Sequence, residues 1–242
     1  MLKTSRGLVL STLKYNDEFI IADVFTQTDG RVSFMVRVPK SSRQRGALRL
    51  FQPLTLIEVD WQPRASARLL RPRGVRPAGL LTSIPFDPYK TTIALFLAEF
   101  LRYALAQQPA DATLYEYLAT SVQWLDASSS GYANFHLVFL LRLSRFLGFY
   151  PNLEGFDGRA CYFDMQAARF CASAPLHGHY LEPADAARLP LLMRMRFETM
   201  GVFKFSHDER DRMLDFINNY YRLHLPDFPA LKSLDVLRQV FA

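Results

Sequence analysis

The chain has 242 residues, half of them hydrophobic and 14% aromatic, a composition that supports a sizeable core and excludes a disordered chain. Its net charge of +6 is uneven: residues 1–80 hold 14 Lys/Arg against 6 Asp/Glu (+8), whereas residues 81–242 hold 15 against 17 (−2), so a polyanion partner is expected for the first third. Two cysteines, Cys161 and Cys171, exclude a disulfide scaffold, and no uninterrupted apolar run approaches the ~20 residues of a membrane-spanning helix.

The first 80 residues read as strands. Leu8-Val9-Leu10 with Leu13 precede a turn-like break at Tyr15-Asn16-Asp17, and a mostly apolar run follows from Phe19 to Phe25. Thr28-Asp29-Gly30-Arg31 contains the Asp-Gly pair favoured in type I′ hairpin turns. Val32, Phe34, Val36 and Val38 then alternate with Ser33, Met35 and Arg37, the period of a half-buried strand. Between Arg37 and Arg49 lies a run of five cations and no anion with a Pro/Ser/Gly-rich middle. Leu54, Leu56, Ile57 and Val59 predict a fourth strand, and Ala67 to Leu70 a fifth. Five short strands with a long basic loop suit a small closed barrel of OB or SH3-like type, and spacing alone does not choose between them.

From Pro88 the period changes to that of helices. Ile93, Phe96, Leu97, Phe100, Leu101 and Ala104 form one apolar stripe; Leu114, Leu118, Val122 and Leu125 form another, with Asp111 as its N-cap. Residues 135–147 are apolar on nearly every face, which predicts a central helix whose exceptions are Arg142 and Arg145. Residues 150–182 are loop-rich, helices resume from Ala184 to Met200, and Ser206-His207-Asp208-Glu209 is a capping box opening a helix through Leu223. Ser233 is expected to cap a last short helix. The plan is α+β: a strand-rich domain over 1–80, then an all-α domain over 81–242 interrupted at 150–182.

With these elements in place, the chain resembles the recombination mediator protein O (RecO) family over essentially its whole length. The resemblance rests on Gly7-Leu8-Val9-Leu10 with Tyr15-Asn16-Asp17-Glu18, on Thr28-Asp29-Gly30-Arg31 before the basic loop, and on Gln52-Pro53-Leu54. Arg142-Leu143 with Phe146-Leu147-Gly148-Phe149-Tyr150-Pro151, and Leu231-Lys232-Ser233, extend it. It implies an N-terminal five-stranded OB-type barrel, binding of single- and double-stranded DNA, strand annealing, and assistance to the recombinase on DNA coated by single-strand-binding protein. It also implies RecR and the C-terminal tail of single-strand-binding protein as partners. With no GxSxG, no P-loop and no Ser/His/Asp ordering, neither catalytic activity nor a cofactor is expected. The two cysteines without a signal or spanning segment point to a cytoplasmic, nucleoid-associated location. Nothing at the N-terminus reads as a signal peptide, because the apolar core at 8–10 is too short. Many family members carry a four-cysteine zinc site in the insertion. Here Ala174 stands where the cysteine paired with Cys171 would lie, and residues 152–159 contain no cysteine, so 150–182 reads as a degenerate, metal-free version. Phe156, Tyr162, Phe163 and Phe170 are expected to pack in place of the metal.

The expected DNA-binding set is Arg37, Lys40, Arg43, Arg45, Arg49, Arg64, Arg68, Arg71, Arg73 and Arg76, from two acid-free runs. Lys40, Arg43 and Arg45 match the family's basic loop. Such residues contact phosphates and impose no base-edge geometry. Aromatics could stack unpaired bases: Phe34 is in phase with the core, whereas Phe51 and Trp61 flank a strand, and Trp61 joins the set. Cys161, Cys171, His177 and His179 are four potential zinc ligands, but their spacing fits no common knuckle and they are read as structural. Asp208, Asp211 and Asp215, with Glu209, raise the alternative of a metal-dependent nuclease; the interleaved Arg210 and Arg212 and the capping role of the first turn favour a structural reading. A scaffold that binds an acidic protein is the other alternative. Arg142 either pairs at the helix edge or lines a groove for the acidic tail of single-strand-binding protein, with Lys232 as second candidate.

Overall fold

A computed structural model describes residues 2–39, 45–63, 67–158 and 161–241, without the side chains of 45–47 and 241. The described chain forms two compact units, 1–127 with 231–240, and 128–230 with 241–242.

The first unit is built on β1 (Lys3–Lys14), β2 (Phe19–Thr26), β3 (Gly30–Arg37), β4 (Leu56–Trp61) and β5 (Pro72–Pro77), antiparallel in the order β3-β2-β1-β4-β5. β1 is long enough to pair with β2 along Gly7–Lys14 and with β4 along Lys3–Leu8, and a bulge between Val9 and Ser11 bends it between partners. Closure comes from a parallel bridge between Phe34 and Leu70, where Met35 N–H donates to Leu70 O (2.7 Å) and Leu70 N–H to Ser33 O (3.0 Å). The sheet is thereby an OB-type barrel.

Alternation decides what fills it. Val9, Ala22, Val24, Phe34, Val36, Ile57, Val59 and Trp61 point inward, and Phe51 plugs the core from a 3-10 turn at Arg45–Phe51. Phe34 and Trp61 meet edge to face at 5.6 Å. Gly7 is required by this packing: a Cβ there would lie 2.5 Å from Val24 Cγ1.

Two strand expectations are corrected. The fifth strand is 72–77, not 67–70; Leu70 supplies only the closing bridge, because β5 must pair along β4 on its far side. The β2–β3 connection is not a type I′ turn. Thr26 pairs with Gly30 across a three-residue loop, and only Gly30, not Asp29, has positive φ (+65°).

Helices α1 (Pro88–Ala104) and α2 (Ala112–Ala127) pack on β1. Asp87 caps α1, and Asp111 caps α2 by accepting from Thr113 N–H (2.8 Å) and Leu114 N–H (3.0 Å), while the predicted α1 stripe is buried throughout. Asp126 of α2 accepts the N–H groups of Thr82, Ser83 and Ile84 at 2.7–2.8 Å, and the buried Lys90 donates to Asp126 O at 3.0 Å.

The second unit contains α3 (Phe135–Phe146), α4 (Pro183–Ala186), α5 (Leu189–Arg194) and α6 (His207–His224). α3 is buried on most faces, as its composition requires. The capping box of α6 is formed: Ser206 Oγ accepts from Glu209 N–H, and Ser206 N–H donates to Glu209. The helix expected over 184–200 is broken into α4 and α5, because Pro190 has no N–H to continue it and its ring crowds the preceding turn. The last helix, α7 (Ser233–Phe241), falls largely in the first unit. There Ser233 donates both N–H (2.8 Å) and hydroxyl to Glu99 of α1, so the anchor is a carboxylate on another helix.

The insertion is more regular than expected. β6 (Tyr162–Asp164), β7 (Arg169–Cys171) and β8 (Tyr180–Leu181) form a small sheet in the order β7-β6-β8. Phe163 is fully buried against Phe170 (5.1 Å), Phe216 (5.8 Å) and Tyr220 (6.2 Å). Phe156 packs on Phe170 at 4.9 Å, and the half-buried Tyr162 meets Tyr180.

Candidate nucleic-acid interface

The barrel disposes of its acids internally. Asp23 on β2 accepts from Arg31 Nη2 (2.7 Å), Ser33 Oγ (2.5 Å) and Ser11 Oγ (3.2 Å). Burial pushes its carboxyl up, but the hydrogen bonds from Ser33 and Arg31 outweigh this and hold it below the usual range. Asp29 pairs with Lys3, Asp17 with Lys14, and Glu58 and Asp60 both with Arg76. Exposed arginines remain: Arg6 on β1 and, within the two acid-free runs, Arg37 at the end of β3, Arg49 in the 3-10 turn, Arg68 and Arg71 beside the closing bridge, and Arg73 on β5. Among the described residues these six have no carboxylate partner. A groove of about 500 Å³ is lined by Gln62, Leu70, Arg71 and Arg73, and a second of about 570 Å³ by Arg31, Ser33 and Arg68.

The other expected DNA contacts fare differently. Lys40, Arg43 and Arg64 lie outside the described residues, as does the side chain of Arg45. Arg76 is already matched: hydrogen bonds to Asp60 and then Glu58 raise its pKa above the ordinary value. Trp61 is a correction. Its ring is 1% exposed and belongs to the barrel core, because β4 alternation turns it inward with Ile57 and Val59, so no face is left for a base. Phe51 is buried for the same purpose.

In the insertion, Cys161 is buried and Cys171 half-buried, and burial pushes both thiols up. His177 Nε2 lies 3.3 Å from Asp164 Oδ1, and His179 is exposed. Among the described residues no group of three or more His, Cys, Asp or Glu could hold a metal ion. The α6 acids have local partners. Glu209 is brought down to about 2 by Ser206 N–H and the guanidinium of Arg188 (2.7 Å), and Asp211 lies 3.7 Å from His207 Nδ1. Arg142 Nη2 donates to Met195 O (2.7 Å), closing the end of α5, and its guanidinium lies over Phe197. One nitrogen of Arg142 is thus taken up by a carbonyl, whereas Lys232 is exposed. Among the described residues no helix is long and apolar enough to cross a membrane.

Sequence reasoning missed the pairing of Arg76, which required knowing that β4 and β5 are neighbours. It also missed Phe19, whose ring carries Arg71 above it at 5.7 Å.

The architecture is that of an OB-type barrel with an arginine-rich rim, followed by a helical region. The family model for the N-terminal part of recombination protein O matches residues 1–77, and that for its C-terminal part matches 85–235. The chain is 50% identical over 242 residues to the DNA repair protein RecO of Bacteroides fragilis and 48% identical to that of Phocaeicola vulgatus, each covering 100% of both chains. It is 38% identical over 245 residues to the RecO protein of Porphyromonas gingivalis, again over the full length of both. The chain belongs to the RecO family.

Proposed function

We propose that the protein is a non-enzymatic DNA-binding recombination mediator in DNA repair. The observation that carries this reading is the segregation of charge on the barrel: every acid with a described partner is spent on another cation, and Arg37, Arg49, Arg68, Arg71 and Arg73 are left for phosphates. Lys40, Arg43, Arg45 and Arg64 extend the same run along the chain. Phosphate contacts of this kind release counterions and bind single- and double-stranded DNA without reading sequence. Two complementary strands held on one cationic surface repel each other less, which favours annealing. Assistance to the recombinase, association with RecR, and capture of the tail of single-strand-binding protein near Arg142 or Lys232 complete the proposal, with family membership as their support. We further propose that 1–80 carries the DNA and 81–242 serves protein partners.

The test is a salt titration of affinity for single-stranded DNA. Arg37, Arg49, Arg68, Arg71 and Arg73 alone give a log–log slope of roughly −3.5, from about −0.7 per contact on a single strand, and the cations of the loop steepen it. Affinity indifferent to salt refutes the reading. Changing Lys40, Arg43 and Arg45 to Ala is expected to flatten the slope and slow annealing. DNA cleavage with Mg²⁺ that Asp211→Asn abolishes would instead establish the nuclease.

A further inference from the structure

OB barrels take oligonucleotides on the outer face of strands 2 and 3, between the β1–β2 and β4–β5 loops. In this barrel Ile20, Ala22 and Val24 of β2 pack into the core, so the pleat turns Phe19 and Ile21 towards the other face, where both are half-buried. Their cross-strand partners are Arg37 and Met35 of β3, and Leu13 of β1 sits opposite Ile21. Leu13 is 63% exposed, and Tyr15, whose N–H donates to Phe19 O (3.1 Å), is 58% exposed. Arg71 arrives from the end of the β4–β5 loop with its guanidinium 5.7 Å from the Phe19 ring centroid. Apolar surface on a barrel face is thus framed by two arginines that have no carboxylate partner among the described residues.

We propose that Phe19, with Arg71 and Tyr15, is a stacking subsite for an unpaired base, flanked by Arg37 as a phosphate contact. A base inserted between the Phe19 ring and the planar guanidinium above it stacks on both, and any base will do, because each has a π-face. A paired base is already stacked and cannot enter, so the subsite recognises single strands specifically. A polyanion is the occupant because the cations that frame the apolar floor carry uncompensated charge. The inference rests on the DNA-binding reading above and adds base contact to a site otherwise limited to phosphates.

The experiment compares the full chain's affinity for a labelled oligothymidylate and for an abasic deoxyribose-phosphate strand of the same length and charge. One stacked base is worth roughly 1–3 kcal/mol, a preference of roughly 5- to 150-fold for the strand with bases. Phe19→Leu keeps the apolar bulk and is expected to collapse that ratio towards one with the salt slope unchanged, whereas Phe19→Tyr keeps it. Arg71→Lys retains the charge but is expected to lower the ratio. Salt-sensitive binding to both strands without preference overturns the subsite and leaves the DNA-binding reading standing. A preference undiminished in Phe19→Leu also overturns it. Salt-insensitive binding, or none, overturns both.

Discussion

Replacing Phe163 by Ala tests what holds the insertion together. The ring is fully buried at the centre strand of the small sheet and touches Phe170, Phe216 and Tyr220, the last two on α6. Removing a buried Phe side chain costs about 3–5 kcal/mol, the upper end applying where neighbours cannot collapse into the space. Here the neighbours are rings anchored elsewhere: Tyr220 Oη donates to Phe149 O at 2.7 Å, and Phe170 is itself packed on Phe156. At about 2–4 °C per kcal/mol for a chain of this size, the melting temperature should fall by roughly 6–20 °C. The assay is calorimetry with near-ultraviolet circular dichroism, each with and without a chelator. The chelator is expected to leave the wild-type transition in place. A fall below about 2 °C in the variant, or a chelator effect as large as the mutation's, would refute the idea that apolar packing replaces a metal.

Asp126→Asn should destabilise the first unit by about 1–3 kcal/mol in urea unfolding, because an amide oxygen can keep Ser83 and Ile84 N–H, which share Oδ1, but leaves Thr82 N–H without its acceptor. Gly30→Ala should cost at least about 1–2 kcal/mol, from the left-handed φ alone, with the new Cβ also 3.0 Å from Gln108 O. Glu209, held at about 2 in the folded protein against 4.5 ordinarily, contributes stability that is present above pH 4.5 and lost as the pH falls towards 2. Glu209→Gln should therefore flatten the acid limb of a stability–pH curve over that window. Arg76→Ala should leave the salt slope of single-stranded DNA binding nearly unchanged, whereas Arg73→Ala reduces its magnitude by about 0.7, because only the latter cation is uncompensated.

Much of the fold is legible in the sequence because it follows local rules. The alternation of β3, the stripe of α1, the Asp111 cap and the Ser206 capping box each depend on residues within a few positions of one another. The misplaced fifth strand had a different cause. Ala67 to Leu70 has strand-like composition, yet pairing with β4 selects Pro72–Pro77, and that selection is made across the barrel. The broken helix after 183 was readable from Pro190, whose missing N–H is a local fact, but the surrounding apolar residues obscured it.

The site divides along the same line. The cationic runs at 37–49 and 61–76 and their lack of acids are properties of the chain, and so is the expectation of a polyanion partner. Which of those arginines are available is not, since Arg76 is matched by carboxylates 16 and 18 residues away that only strand pairing brings near. Trp61 and Phe19 make the same point with aromatics. Sequence alone ranks Trp61 as a platform, but the pleat and barrel closure turn it into the core and leave Phe19 half-buried under Arg71. Composition and periodicity determine how much charge and apolar surface exist and in what rhythm; only the closed sheet decides which face each side chain occupies, because inside and outside are defined by partners distant in the chain.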